Sequence, residues 1–179
     1  MIDPALGNLL AAAFALLFAS AAIHKLRDLA GFADAFAAYE LVPAGAAWLA
    51  WLLPLLELAV AAGVLLGATR AAASAAGGAL LLVYAAAIGV NLQRGRRDLA
   101  CGCGGPLERR PIASWMVWRN LALAALLAAL LLPWAPRSLE TADLLTVGAG
   151  TAVVALLYMS LDRLLGRVAP QAALLRGTK

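Results

Sequence analysis

The chain reads as an all-α integral membrane protein with five transmembrane helices. Three observations carry that reading. Of its 179 residues, 64% are hydrophobic and only 13% are charged, with a mean hydropathy of +0.89. A soluble domain has about 45–50% apolar and about 25% charged residues. Five apolar runs approach the roughly 20 residues that cross a bilayer as a helix. The basic residues also segregate, eleven to one side of those runs and two to the other. This composition excludes a soluble globular domain and a disordered chain, because nothing would cover so much apolar surface in water. The length leaves no room for a separate catalytic domain, so any chemistry falls to side chains in the membrane or in short loops.

The first run covers 6–23 and ends at His24-Lys25-Leu26-Arg27-Asp28. Ala19-Ser20-Ala21 resembles a signal-peptide cleavage site, but the leading residues carry Asp3 and no Lys or Arg. A secretory signal begins positive, so the run is read as a retained helix. Residues 25–43 follow, with Leu29, Phe32, Phe36 and Tyr39 at spacings of three and four and with Arg27, Asp28 and Asp34 on the other side. That pattern predicts an amphipathic interfacial helix that stops at Val42-Pro43. The second run is 46–66 and the third 71–92. The fourth is 112–132 and the fifth 144–161. Gly63 and Gly67 form a GxxxG segment, and Ala75-Ala76-Gly77-Gly78 forms a second small patch; both suit close helix packing in lipid.

Five spans place the termini on opposite sides. The N-terminal side holds Arg70 and Arg137. The other side holds Lys25, Arg27, Arg94, Arg96, Arg97, Arg109, Arg110, Arg163, Arg167, Arg176 and Lys179. The positive-inside rule makes that second side cytoplasmic. The net charge of +4 and the pI near 9.6 are therefore a topology signal, with no call for nucleic acid. The expected location is a bacterial inner membrane, with the N-terminus outside and the C-terminus in the cytoplasm.

In such a chain the informative residues are the polar exceptions. Glu57 falls near the middle of the second run, and Arg119 and Asn120 lie a third of the way down the fourth. Asn91 closes the third. A charge in hydrocarbon costs about 2.5–3.5 kcal/mol even on a permissive scale, so it finds a partner or lines a cavity. Glu57 and Arg119 are the two charges well inside the runs and have opposite sign. They are expected either to pair with each other or to serve a reactive site. Pro54, three residues before Glu57, removes a helical hydrogen bond and is expected to kink the helix.

The sharpest segment is the loop 94–111, which holds Cys101-Gly102-Cys103-Gly104-Gly105-Pro106 between flanking arginines. One intervening residue brings the sulfurs within potential bonding range, and the glycines permit unusual backbone angles. The arginines and the start of the next helix favour thiolate, the species that attacks disulfides. Three readings stay open: a redox-active thiol–disulfide pair, a soft-metal site for Cu(I) on Cys101 and Cys103 with help from His24, or two ordinary loop cysteines. Two cysteines and one histidine are too few for a closed structural zinc site. His24, Lys25, Asn91, the CxC loop and Arg119 gather toward one membrane face, with Glu57 approaching from mid-depth. His24 would take or give a proton near neutral pH.

The segments His24-Lys25-Leu26-Arg27-Asp28, Tyr39-Glu40-Leu41-Val42-Pro43, Pro54-Leu55-Leu56-Glu57, Asn91-Leu92-Gln93-Arg94-Gly95, Cys101-Gly102-Cys103-Gly104 and Trp118-Arg119-Asn120 resemble, in order and spacing, the MauE family of DoxX-like membrane proteins. The resemblance covers about residues 6–132. Gly104 stands where the family segment carries an aromatic residue. The resemblance implies a DoxX/MauE-like four-helix bundle over 1–135; the fifth transmembrane helix and basic cytoplasmic tail over 136–179, read from the apolar run and its charges, lie outside it. It also implies a part in maturing methylamine dehydrogenase, in company with thioredoxin-like periplasmic proteins.

The expected function is thiol–disulfide exchange in the inner membrane, in electron relay to a partner protein or in its maturation. Cys101 and Cys103 would be the redox pair and Arg119 would stabilise thiolate. Glu57 would pair with Arg119 or move protons, and His24 would assist. The redox-active disulfide would be the working group, with a lipid quinone as a candidate cofactor. A copper or small-solute carrier using Cys101 and Cys103 as ligands, and a non-catalytic assembly factor, are the alternatives. A periplasmic partner pulls against the cytoplasmic side that the charge count gives the cysteines. A relay across the membrane or a quinone would resolve this.

Overall fold

A computed structural model describes residues 1–46, 48–101 and 111–176, with side chains through residue 165 apart from Ala44. Six α-helices make up almost all of it: α1 (Pro4–Arg27), α2 (Leu29–Ala38), α3 (Leu49–Leu65), α4 (Arg70–Gln93), α5 (Ser114–Ala128) and α6 (Thr141–Arg176). Short 3-10 turns at Ala44–Ala46 and Ala129–Leu131 adjoin α3 and α5. Among the described residues there is no strand, only two isolated bridges. The all-helical expectation therefore holds.

Four helices are long and apolar enough to cross a membrane: Pro4–Arg27, Arg70–Gln93, Ser114–Leu131 and Thr141–Leu165. The run at 46–66 yields the 17-residue α3. The 3-10 turn takes up its start and Leu66 is already extended. At about 1.5 Å per residue α3 is about 25 Å long, a little under a hydrocarbon core of about 30 Å. The fifth span is therefore not established. The chain is a multi-pass helical protein suited to a lipid bilayer.

Helix α1 begins under Asp3, whose side chain accepts from the Ala5 amide at 2.9 Å, with Pro4 in the first turn, where a missing N–H costs nothing. Asp28 ends α1 and caps α2 through the Gly31 amide at 3.0 Å. The predicted interfacial helix therefore exists as α2, shorter than 25–43 because Lys25 and Arg27 still belong to α1. Helix α3 runs on through Pro54.

Helix α1 packs on α3 and α6, and α4 packs on α5 and α3. The core between them holds Ala11, Phe14, Phe18, Val60, Val64, Leu81 and Leu127. Small residues set the spacing. A Cβ on Gly77 would lie 2.9 Å from both Leu127 and Val60 and 3.1 Å from Phe18; one on Gly63 would lie 2.7 Å from the Ala73 Cβ. Gly63 is thus the packing half of the GxxxG segment, while Gly67 and Gly78 face open space.

The N-terminal end of α1 is tied to the chain leaving α5. Ile2 pairs with Trp134, and the Arg70 guanidinium stacks 4.0 Å from the Trp134 ring. Arg137 bridges Asp3 at 2.7 Å and Asp143 at 2.6 Å, and it holds the Asp3 carboxyl below the usual carboxylate range. The two arginines assigned to the N-terminal side do share this end. At the other end Trp48, Trp51 and Trp118 are exposed, as rings that settle at the lipid headgroups are. Helix α6 docks on α1 and leaves most of its apolar surface outward.

Candidate functional site

The periodicity of three helices brings one polar cluster into the core. On α1 the buried stripe runs Ala11, Phe14, Phe18, Ala22 and Lys25. On α3 it runs Ala50, Pro54, Glu57, Ala61 and Val64. Spacings of three and four put each charge on the face that meets the neighbouring helix. Lys25 is 6% exposed and Glu57 1%. The Lys25 Nζ lies 2.5 Å from Glu57 Oε1, and the Tyr84 hydroxyl of α4 donates to the same oxygen at 2.9 Å. The ammonium also sits 5.4 Å from the Phe32 ring centre and 5.3 Å from that of Tyr84, within cation–π range. Glu57 Oε2 is buried without a hydrogen-bond partner among the described residues.

This arrangement corrects the expected Glu57–Arg119 pair. Arg119 binds Asp162 of α6 at 2.6 Å and lies 5.3 Å from the Trp115 ring centre. The reason is again register: Asn120, not Arg119, continues the α5 core stripe from Met116 to Leu127. Arg119 is rotated toward α6 and meets the one carboxylate that α6 offers at that level. His24 is exposed, while its neighbour Lys25 is buried.

A cavity of about 380 Å³ opens beside the cluster. Lys25 and Tyr84 contribute to its lining. Phe32, Phe36 and Tyr39 bring the α2 face predicted from sequence, and α3 and α4 add Leu53 and Ile88. Cys101 lines it as well. Cys103 lies outside the described residues, as does most of the CxC loop.

Asn91 organises the Cys101 end. It is fully buried, and its Nδ2 donates to the carbonyls of Tyr39 at 3.2 Å and Ala87 at 3.1 Å. The chain then reverses at Gly95, whose φ of +76° favours glycine. Arg96 reaches back to the Ala38 carbonyl at 2.9 Å and to Glu40 at 3.0 Å. Ala100 bridges Pro111, and the Ile112 amide donates to Leu99 O at 3.0 Å. The Tyr39 hydroxyl reaches the Cys101 carbonyl at 3.5 Å. Its burial pushes the phenol up to about 12.

Of the site residues expected from sequence and described here, Cys101 lines the cavity, Glu57 lies behind it against Lys25 and Tyr84, and Arg119 and His24 stay out of the lining. Tyr84 is the member the sequence does not disclose; the sequence places Lys25 at this membrane face and Tyr39 on the α2 face, without a role for either. The stripe phase was the available signal for Lys25; for Tyr84 there was none, because a tyrosine in an apolar run is unremarkable. Among the described residues no group of three or more His, Cys, Asp or Glu could hold a metal ion. The copper alternative rests in part on Cys103, outside them.

The model of a family described as Methylamine utilisation protein MauE matches residues 3–134. The chain is 40% identical over 164 residues to a methylamine utilization protein MauE of Paracoccus denitrificans, covering 89% of this chain and 87% of that protein. It is 37% identical to a MauE of Methylophilus methylotrophus, covering 92% and 88%, and 40% identical to one of Paracoccus versutus, covering 99% and 95%. No solved structure matches the chain. The family match over α1 to α5, with relatives that cover 89–99% of the chain, places this chain in the MauE family of methylamine utilisation proteins.

Proposed function

We propose that this protein exchanges disulfides with a partner protein at Cys101 and Cys103, in support of methylamine utilisation. The observation that carries the reading is that Cys101 lines a membrane-level cavity beside the buried Lys25–Glu57–Tyr84 cluster. In the exchange, a partner thiolate attacks the Cys101–Cys103 disulfide and forms a mixed disulfide. The partner's second thiolate resolves it. The partner leaves oxidised, and this chain holds two thiols, having taken two electrons and two protons. Loop arginines and the start of α5 favour thiolate at this end. A thioredoxin-like protein suits the role of partner, and a disulfide-rich client of methylamine oxidation suits the role of final acceptor of the bond.

The topology that goes with this reading has five spans, with α3 as a short second one and α6 as the fifth. The charge count gives an inner-membrane protein with the N-terminus outside and the CxC loop cytoplasmic. The test is a trapping experiment. Full-length protein carrying Cys103→Ser is purified in detergent and mixed with an oxidised thioredoxin-like protein. A mixed disulfide through Cys101, absent from the Cys101→Ser/Cys103→Ser variant, is the expected result. No adduct at any partner concentration, with partner oxidation in cells unchanged in both single variants, would count against exchange.

A further inference from the structure

We propose that α2 is a lid over the cavity at Cys101, latched shut by Arg96, and that a partner reaches Cys101 when this lid lifts. Helix α2 differs from its neighbours in how it is held. None of its residues is buried, whereas α1, α3, α4 and α5 all bury residues. Its inner stripe of Phe32, Ala35 and Phe36 lines the cavity of about 380 Å³ where a packed core would otherwise stand. Atoms that face a void have no contacts there to lose. In lipid an opened apolar cavity refills with acyl chains, so lifting α2 carries little hydrophobic penalty. Segments with few buried apolar contacts are the ones that open locally.

What holds the lid is polar and sits at its C-terminal end. Arg96 donates to the Ala38 carbonyl at 2.9 Å and pairs with Glu40 at 3.0 Å, and Asn91 donates to the Tyr39 carbonyl at 3.2 Å. The Tyr39 hydroxyl reaches the Cys101 carbonyl, and both residues pack on the cluster of Ile88, Ile112 and Met116. A non-helical joint flanks each end of α2. Asp28 sits at φ −136° and ψ 66°. Glu40 stands in the left-handed region at φ +51°, which a residue with a Cβ rarely adopts. Such strain persists only while the surroundings enforce it, and Arg96 grips the Glu40 carboxylate. Releasing Arg96 therefore frees the strained joint together with the end of α2 nearest Cys101. Disulfide exchange depends on access to the attacked sulfur, and Cys101 lines the covered cavity. The inference rests on the proposed exchange for its purpose alone; the movement and the uncovering of Cys101 need no partner.

The test combines amide hydrogen exchange with alkylation of full-length Cys103→Ser protein in lipid nanodiscs, using N-ethylmaleimide on Cys101, its one remaining cysteine. The α2 amides should exchange faster than those of α1 and α4. Arg96→Met removes an ion pair and a charge-assisted hydrogen bond, so it should speed both α2 exchange and Cys101 alkylation by about fivefold. Loss of a nearby positive charge by itself makes thiolate scarcer and slows alkylation, so acceleration reports the lid. Glu40→Gln, the other half of the pair, should speed α2 exchange in the same way. Ala35→Leu adds contacts under the lid and should slow both rates by about threefold. Alkylation unchanged while α2 exchange rises, α2 amides as protected as those of α4, or exchange that rises equally in every helix of Arg96→Met would each overturn the proposal. None of these rates involves a partner protein, so a failure of the lid and a failure of exchange are read separately.

Discussion

Neutralising one partner of the Lys25–Glu57 pair should cost far more than neutralising both. Lys25→Met leaves a carboxylate that is 1% exposed without its ammonium, and Glu57→Gln leaves an ammonium that is 6% exposed without its counter-charge. Breaking a buried pair in this way costs about 3–5 kcal/mol. At about 1.4 kcal/mol per factor of ten, each single variant should lose roughly two to three and a half orders of magnitude in its folding equilibrium. Glutamine keeps an acceptor for the Tyr84 hydroxyl, so the comparison isolates charge. The double variant Lys25→Met/Glu57→Gln should cost less than either single one, so the coupling should exceed a single variant's loss of about 3–5 kcal/mol, above the usual range for contacting residues. The assay is reversible unfolding in mixed micelles followed by circular dichroism. Glu57→Gln combined with Arg119→Met should be additive within about 0.5 kcal/mol. Additivity between Lys25 and Glu57, together with coupling between Glu57 and Arg119, would refute the assignment of partners.

Other outcomes follow from the same packing. Gly77→Val should destabilise by about 1–3 kcal/mol, because its first carbon already meets Leu127, Val60 and Phe18; Gly78→Ala, over open space, should be near neutral in the same unfolding assay. Asn91→Leu strips the Tyr39 carbonyl of its side-chain donor and should cost about 1–3 kcal/mol, with faster proteolysis near Cys101 as a second readout. Tyr39 should ionise near pH 12, as an absorbance step lost in Tyr39→Phe. Because its folded value is raised, its contribution to stability is complete below about pH 10 and fades as the pH climbs toward 12. A step near pH 10 would contradict its burial.

Much of this fold is legible in the residues themselves. The apolar runs locate the helices, because a bilayer admits few other ways to satisfy a backbone. The period of Leu29, Phe32, Phe36 and Tyr39 finds α2 and the very face that lines the cavity. The pairing of charges is not legible from depth alone. Glu57 and Arg119 both fall inside apolar runs, but a rotation of about 100° per residue decides which neighbour each meets. Arg119 stands one residue off the α5 stripe and finds Asp162, a residue placed by the docking of α6. Lys25 was readable as the next step of the Ala11–Ala22 stripe, yet its place at a helix end suggests an interfacial charge. The length of α3 was hidden for another reason: the 3-10 turn before it has the same alanine-rich composition as the helix.

On the proposed function, Cys101 and Cys103 cycle between dithiol and disulfide in the living cell. A gel-shift assay reads that directly: cells growing on methylamine are quenched in acid and labelled with a maleimide polymer before and after reduction. A wild-type protein found as a mixture of oxidised and reduced forms, shifting toward the dithiol when the thioredoxin-like partner is overproduced in reduced form, is the predicted result. Two thiols that remain fully reduced whatever the partner's level, with normal growth on methylamine in Cys101→Ser and Cys103→Ser strains, would contradict it.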